Sequence, residues 1–375
     1  MTSKEEGVRA TNQDFIRYDQ VEKHQTYQLA EGLDENQFDD DFQVRTVDVS
    51  RFLHGNADDK RAFATQLGDA LHEIGFAIIE GHGVDPSLYA EAERRIEEIF
   101  STLTLEEKMR FRAERFGSVN QGYFPIKETS NMHPDLVEGW VFCRRAFEDP
   151  AKFWPVVGSG LKSKVPAQDH FSSDDVRGTL DFRPDPAFFE QIVHAHERLI
   201  LPIMQSLLTY LGCDAHLFDA KLTGTNFGLR LNYYPPVSAS DDASGAARLL
   251  GHEDIDMFTF LPAPRVEGLQ VLNRRNMKWV RIAAPPGSII LNTGDYMQRI
   301  SNDIFPSTTH RVSKPRDPEQ RNKTRVSFPM AVYLWEDELL EVLPCIANPK
   351  YPPVKAINFH TSITSKFYGD DYAVK

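Results

Sequence analysis

The sequence predicts a mainly β fold with flanking helices, on three observations. After residue 222 the chain breaks into short apolar segments, at 227–234, 257–261, 268–272, 278–282, 288–291 and 325–334, punctuated by Pro, Gly and Asn. Short strands at such close spacing predict an all-β sandwich or barrel. Before residue 215 the apolar positions recur at helical intervals instead, as in 58–74, where Phe63, Leu67, Leu71 and Ile74 share one stripe. Between the halves a long helix is predicted from Pro186 to Leu211, closed by Gly212 in the usual C-terminal glycine position.

The remaining elements follow in order. Residues 1–44 are polar, carry an acidic cluster at 34–41 and read as an extended arm. Val47–Val49 is a strand candidate, Gly75–Ile79 a second, and a helix is predicted over 86–101. Thr104 and Glu107 have the spacing of a capping box and open another helix. Residues 111–185 are rich in Pro, Ser and Gly and are expected to be irregular, apart from a strand at Gly139–Phe142. Within them Gly158-Ser-Gly-Leu-Lys-Ser resembles a dinucleotide loop. It lacks the third glycine, a convincing preceding strand and a following helix, so no dinucleotide site is expected. The boundaries are an arm at 1–44, a helical and mixed region at 45–215, a β core at 216–340 and a tail at 341–375, together one unit.

Lys and Arg number 42 against 55 Asp and Glu, a net charge of −13. A field of that sign repels phosphate, so neither nucleic acid nor an anionic membrane is an expected partner. Cys143, Cys213 and Cys345 are odd in number and far apart, so neither a disulfide framework nor a metal knuckle is expected. With no apolar stretch near the roughly 18 residues of a membrane span and no apolar leader at the N-terminus, the expected location is a reducing cytoplasm.

Most of the 12 histidines need no special role. His194 and His196 are two apart in a helix, about 200° of rotation, so their rings diverge. His72 and His82 read as helix-end or turn residues. His252-Glu253-Asp254 differs, because it lies in the β-rich half. There, side chains two apart emerge on one face, roughly 6.6 Å along the strand, and both can lean onto one ion while Glu253 points away. A third ligand must come from a neighbouring strand. The best candidate is His310, in the β-favouring segment Pro306–Val312, 56 residues beyond Asp254. Two His and one carboxylate leave open positions on a metal, the arrangement associated with oxygen-activating Fe(II). The same three donors can also hold a catalytic zinc.

An ordered set of motifs then narrows the choice: Gly75-Phe-Ala-Ile-Ile-Glu-Gly-His-Gly-Val, Arg230-Leu-Asn-Tyr-Tyr-Pro-Pro, His252-Glu-Asp, Gly268-Leu-Gln-Val, Trp279-Val, Gly294-Asp, Ser307-Thr-Thr-His-Arg-Val and Arg325-Val-Ser. With these, residues from about 45 to 335 resemble the isopenicillin N synthase-like family of Fe(II)/2-oxoglutarate dioxygenases. The resemblance implies a double-stranded β-helix core, jelly-roll or cupin-like, with helices packed outside. It implies Fe(II), 2-oxoglutarate as cosubstrate, and O2. Decarboxylation of 2-oxoglutarate to succinate would be coupled to hydroxylation, desaturation or ring closure of a small molecule: a carboxylate, an amino acid or a specialised metabolite.

By the same resemblance, Arg325 and Ser327 meet the far carboxylate of 2-oxoglutarate, and Asn232 and Tyr234 help hold it. A guanidinium fork and a hydroxyl suit a carboxylate, and period 2 puts Arg325 and Ser327 on one face with Val326 opposite. Arg230 shares a face with Asn232 and Tyr234, and is expected to face the substrate or to form a structural salt bridge. Asp256 stands where the family commonly has Gly, and is expected to approach the substrate or solvent. Lys314–Lys323 reads as an extended hairpin loop between His310 and Arg325. One rival is a 2-oxoglutarate-independent oxidase of the same fold, in which Arg325 and Ser327 bind a substrate carboxylate. A zinc hydrolase leaves Arg325 and Ser327 without a role, and a non-catalytic binding protein leaves the intact triad without one.

Overall fold

The computed structural model describes residues 37–126, 135–148, 184–238, 248–313, 315 and 317–368. Strands β1 (Thr46–Asp48) and β2 (Phe76–Glu80) pair in parallel, with helices α1 (Ser50–His54) and α2 (Ala57–Ile74) between them. Asn56 caps α2 by accepting from the backbone of Asp58 and Asp59, while Asp59 reaches back to the Asn56 backbone. The helix stops at Gly75, whose φ of 74° suits glycine. Any side chain there would also overlap the carbonyl of Pro306.

Helix α3 (Pro86–Thr102) starts with Asp85 as cap and Pro86 in the first turn, and α4 (Leu105–Met109) opens with the expected Thr104–Glu107 box. Strands β3 (Glu114–Phe116), β4 (Val119–Phe124) and β5 (Glu138–Cys143) form an antiparallel meander. The first two fall in the stretch expected to be irregular. Their signal is hidden by polar residues such as Asn120 and Gln121 and by Gly122 at φ 119°. Helices α5 (Arg144–Glu148), α6 (Pro186–Tyr210) and α7 (Asp219–Leu222) precede the long strand β6 (Asn226–Tyr234). On α6, His194 is exposed and His196 fully buried, as their rotation requires.

The second half contributes β7 (Leu249–His252), β8 (Phe258–Pro262), β9 (Leu269–Asn273), β10 (Lys278–Arg281), β11 (Ile289–Thr293), α8 (Asp295–Ile300), β12 (His310–Val312), α9 (Pro318–Arg321), β13 (Arg325–Ser327) and β14 (Met330–Tyr333). A tail of β15 (Leu339–Leu340), β16 (Val354–Lys355) and α10 (Ala356–Tyr368) follows. One sheet of ten strands runs β1-β2-β11-β8-β14-β6-β5-β4-β3, with β13 also on β6, and a second of four runs β10-β9-β12-β7.

Alternation along the strands sorts the core. Ala77 and Ile79 of β2 and Ile289 and Leu291 of β11 pack with Phe63, Leu67, Ile203 and Leu207 of the helices. Phe76, Ile78 and Ile290, one residue out of phase, pack with Val271, Val280 and Val312 of the small sheet. The large sheet therefore has helices on one face and the small sheet on the other. The outcome is a mixed α/β fold with a large mixed sheet rather than a mainly β one. No strand pairing among the described residues closes the two sheets into a barrel. Strands from the N-terminal half extend the large sheet at both ends, β1 and β2 at one and β3 to β5 at the other.

The cysteine expectation is corrected. Cys213, just after α6, and Cys345, beyond β15, form a disulfide with Cα atoms 5.3 Å apart across 132 residues, while Cys143 is buried and free. Sequence separation concealed this because the tail folds back over the helix end, and the argument for a reducing compartment loses its basis. No described helix is long and apolar enough to cross a membrane. The Gly158 segment and residues 1–36 lie outside the described residues. The end of the arm is placed by Phe38, which bridges to Trp279 beneath the Arg281 guanidinium.

Because β2 hydrogen-bonds to β11, limited proteolysis should release no stable fragment covering 45–215. A fragment of that span with its own cooperative melting transition would contradict the one-unit reading.

Candidate metal centre

Strand pairing brings the two histidines together. β12 lies antiparallel to β7 with His310 directly across from His252, so both rings leave the same face, their centroids 4.3 Å apart. The chain leaves β7 at His252, and Asp254 sits in the loop that follows rather than on the strand, as simple alternation required. Its Oδ1 lies 3.8 Å from Nε2 of His252 and 3.8 Å from Nε2 of His310. All three donor atoms fall within 4.8 Å of one another. A metal ion with bonds of about 2.1 Å closes that spacing with small side-chain movements.

A further layer of hydrogen bonds aims the donors. His252 Nδ1 donates to the carbonyl of Leu250 at 3.0 Å, and His310 Nδ1 to that of Thr308 at 3.1 Å. A carbonyl only accepts, so each proton is fixed on Nδ1 and each Nε2 lone pair faces the common point. Asn292 Nδ2 donates to Asp254 Oδ2 at 2.7 Å, and Thr259 Oγ1 does so at 3.1 Å, leaving Oδ1 for the metal. Glu253 turns away, as expected, and accepts from Thr309 Oγ1 at 3.1 Å, which links the two ligand segments behind the site.

The protonation states also suit a metal. Burial, reinforced by His310, pushes His252 down to about 4, so its ring is neutral near pH 7. Burial would raise the Asp254 carboxyl, but the neighbouring His310 and His252 outweigh it and hold it below its ordinary value. A neutral imidazole at His252 and a charged carboxylate at Asp254 are ligating forms.

Asp256 is a correction. It is fully buried and absent from the cavity wall, facing neither substrate nor solvent. After Asp254 the chain turns inward, so Asp256 lies behind the centre, its Oδ2 within hydrogen-bond distance of Thr259 Oγ1. Burial, then the Asp254 charge, raise its pKa well above the usual carboxylate range. Gly294 is required here, because any side chain would overlap Asp256 and crowd the Asp254 carbonyl.

The other expected site residues meet in the same cavity, of about 240 Å³, between the two sheets. β13 pairs with β6 so that Arg325 faces Tyr234 and Ser327 faces Asn232. Asn232 Nδ2 donates to Ser327 Oγ at 3.3 Å, while Asn232 Oδ1 is buried without a partner. Arg325 is 1 % exposed, not the surface residue an isolated Arg would suggest. Its Nε donates to the carbonyl of Val266 at 3.1 Å, its guanidinium lies over the Tyr234 ring, and Nη1 has no partner among the described residues. Buried donors without acceptors are costly, and an incoming carboxylate answers that need. Arg230 also lines the cavity and, among the described residues, forms no salt bridge.

Sequence reasoning missed several contributors. Asn292 carried a signal, a lone amide in the apolar run Ile289-Ile-Leu-Asn. Arg248 did not. It is fully buried, donates through Nη2 to the carbonyl of Lys323 at 2.7 Å, and is pushed down to about 10 by burial and then by Arg325. His360 and Thr364 of α10 complete the wall, which no residue pattern in the tail announced.

Comparison with known proteins gives two family matches. Residues 44–157 match the model for the non-haem dioxygenase in morphine synthesis N-terminal region, and residues 225–331 that for the 2OG-Fe(II) oxygenase superfamily. The chain is 26% identical over 341 residues to a 2-oxoglutarate-Fe(II) type oxidoreductase, ppzC, of Metarhizium majus, covering 84% of this chain and 85% of that one. It is 27% identical over 310 residues to isopenicillin N synthase of Streptomyces griseus, covering 80% and 86%. In fold it is similar to a full-length Neurospora crassa protein solved in complex with alpha-KG and thymine, with a TM-score of 0.71, 21% identity, and coverage of 89% and 99%.

Asn292→Leu should keep the fold but free the Asp254 carboxylate to rotate, weakening Fe(II) binding about 10- to 100-fold, as loss of a supporting hydrogen bond does. Anaerobic metal titration checks this, and unchanged affinity would remove Asn292 from the positioning role.

Proposed function

Because the chain belongs to the 2OG-Fe(II) oxygenase superfamily, we propose that His252, Asp254 and His310 hold its Fe(II), and that Arg325, Ser327, Asn232 and Tyr234 hold 2-oxoglutarate. The protein is an Fe(II)- and 2-oxoglutarate-dependent oxygenase acting on a small molecule. The observation that carries the residue assignment is the β6–β13 register, which lines up the four cosubstrate residues in the cavity that also contains the three metal donors. We read the two packed sheets as the double-stranded β-helix, jelly-roll, of this superfamily, and the regions 1–44, 45–215, 216–340 and 341–375 as one catalytic unit overall.

Bound iron supplies the activation of O2, driven by decarboxylation of 2-oxoglutarate to succinate. The chain's own residues bind and orient. The Arg325 fork, with the Ser327 hydroxyl, takes the far carboxylate of 2-oxoglutarate and fixes its reach toward the metal ligands. Asn232, whose Oδ1 is unpartnered and whose Nδ2 leans on Ser327, sets the width of that slot. Asn292 and Thr259 keep the Asp254 carboxylate turned to the centre. Phe76, Leu261 and Leu269 form apolar wall that excludes water around the reacting groups. The substrate is a small carboxylate, amino acid or specialised metabolite. Hydroxylation is the default outcome, and desaturation or ring closure needs only a different substrate placement.

Arg325→Ala should raise the 2-oxoglutarate requirement about 30-fold or more, since stripping a buried carboxylate of its partner costs roughly 2–5 kcal/mol. Lys should restore only part of this, lacking the planar fork, and iron affinity without cosubstrate should hold. Normal 2-oxoglutarate dependence in Arg325→Ala, measured as the 2-oxoglutarate concentration giving half-maximal succinate formation, would move Arg325 to the substrate.

A further inference from the structure

The charged side chains lining the cavity include two guanidiniums, Arg230 and Arg325, and one carboxylate, Asp254. On the function proposed above, these charges match in pairs once iron and cosubstrate are bound. The two positive charges of Fe(II) and the one on Arg325 are met by Asp254 and the two carboxylates of 2-oxoglutarate. Among the side chains of the cavity wall, which Arg248 does not join, Arg230 is left over. Its Nε is buried without a hydrogen-bond partner among the described residues, and its guanidinium lies over the Phe124 ring, 5.6 Å from the centroid. No described carboxylate forms an ion pair with it. A half-buried cation with no counter-charge is unfavourable unless a ligand supplies one.

Strand geometry says where that ligand lies. Tyr234, Asn232, Arg230 and Gly228 alternate along the cavity face of β6. Arg230 therefore stands one alternation, roughly 6.6 Å, beyond Asn232 and on the side away from Arg325. The next position is Gly228, where a Cβ would lie 3.0 Å from Val119 Cγ1. The missing side chain leaves a floor beside Arg230, bordered by the apolar Phe124, Val141 and Ala331. We infer that Arg230 anchors a carboxylate of the substrate, and that the substrate class is a small organic acid whose apolar body lies along the Gly228 floor.

The test uses the full chain loaded with Mn(II) and saturating 2-oxoglutarate, which occupies Arg325. It is exposed to a library of small carboxylic acids, each paired with its own primary amide, and retained compounds are counted by mass spectrometry. Wild type should retain acids over amides by about tenfold, the size expected of a charge-assisted hydrogen bond. Arg230→Gln should abolish the preference and Arg230→Lys should restore part of it, while calorimetric 2-oxoglutarate affinity changes less than about twofold in both. Equal retention of acids and amides by wild type, retention of neither included, overturns the inference, as does an acid preference that survives in Arg230→Gln. Loss of 2-oxoglutarate binding in Arg230→Gln overturns it too, by assigning the residue to the cosubstrate. Failure of wild type to bind 2-oxoglutarate would remove the proposed function instead, and with Mn(II) alone a drop in the acid preference from wild type to Arg230→Gln would still read Arg230, its absence overturning the inference.

Discussion

Pairing of β7 with β12 sets His252 and His310 across from one another, and the rest of the site takes its position from that pair. The small sheet exists to make this pairing, since β12 is held on its other side by β9, with His310 opposite Val271. Two close approaches bring the strands to the right depth. Gly268, at φ 138°, lets the start of β9 reach the carbonyl of Ser313, and Gly75 admits the Pro306 carbonyl on the path toward His310. A Cβ at either glycine would push a ligand-bearing segment outward.

Around that pair the fold solves an electrostatic problem. Three donors must converge on one point, with each histidine presenting Nε2 and the aspartate one oxygen. Backbone carbonyls hold both Nδ1 protons, Asn292 and Thr259 hold one aspartate oxygen, and the Asp256 carboxyl behind the centre is raised well above its ordinary pKa, by burial first and then by the Asp254 charge. The large sheet places two cations, Arg325 and Arg230, on its cavity face.

Much of this was legible in the residues because it depends on periodicity. His252, Asp254, His310, Arg325, Ser327, Asn232 and Tyr234 meet in one cavity, and the helices 57–74, 86–102 and 186–210 fall where apolar spacing put them. What escaped depends on tertiary contact. Asp254 reaches the centre from a loop rather than from a strand, a difference that one-dimensional alternation cannot register. β4 is a polar strand stabilised by its place between β3 and β5, a case of packing overriding propensity. Asp256 was misplaced because a carboxylate two residues from a ligand suggests a polar surface, whereas burial raises its pKa instead. The Cys213–Cys345 bridge closes a 132-residue loop that no local pattern foretells.

The central claim is that metal and 2-oxoglutarate share one cavity built on the His252–His310 pair, and thermodynamic linkage tests it most directly. Calorimetric titration of 2-oxoglutarate into metal-free and Mn(II)-loaded protein should show affinity at least about tenfold higher with the metal, at one site per chain, with metal affinity raised by the same factor in return. His310→Ala should abolish the difference. Cosubstrate binding that is indifferent to the metal, or linkage that persists in His310→Ala, would contradict the account.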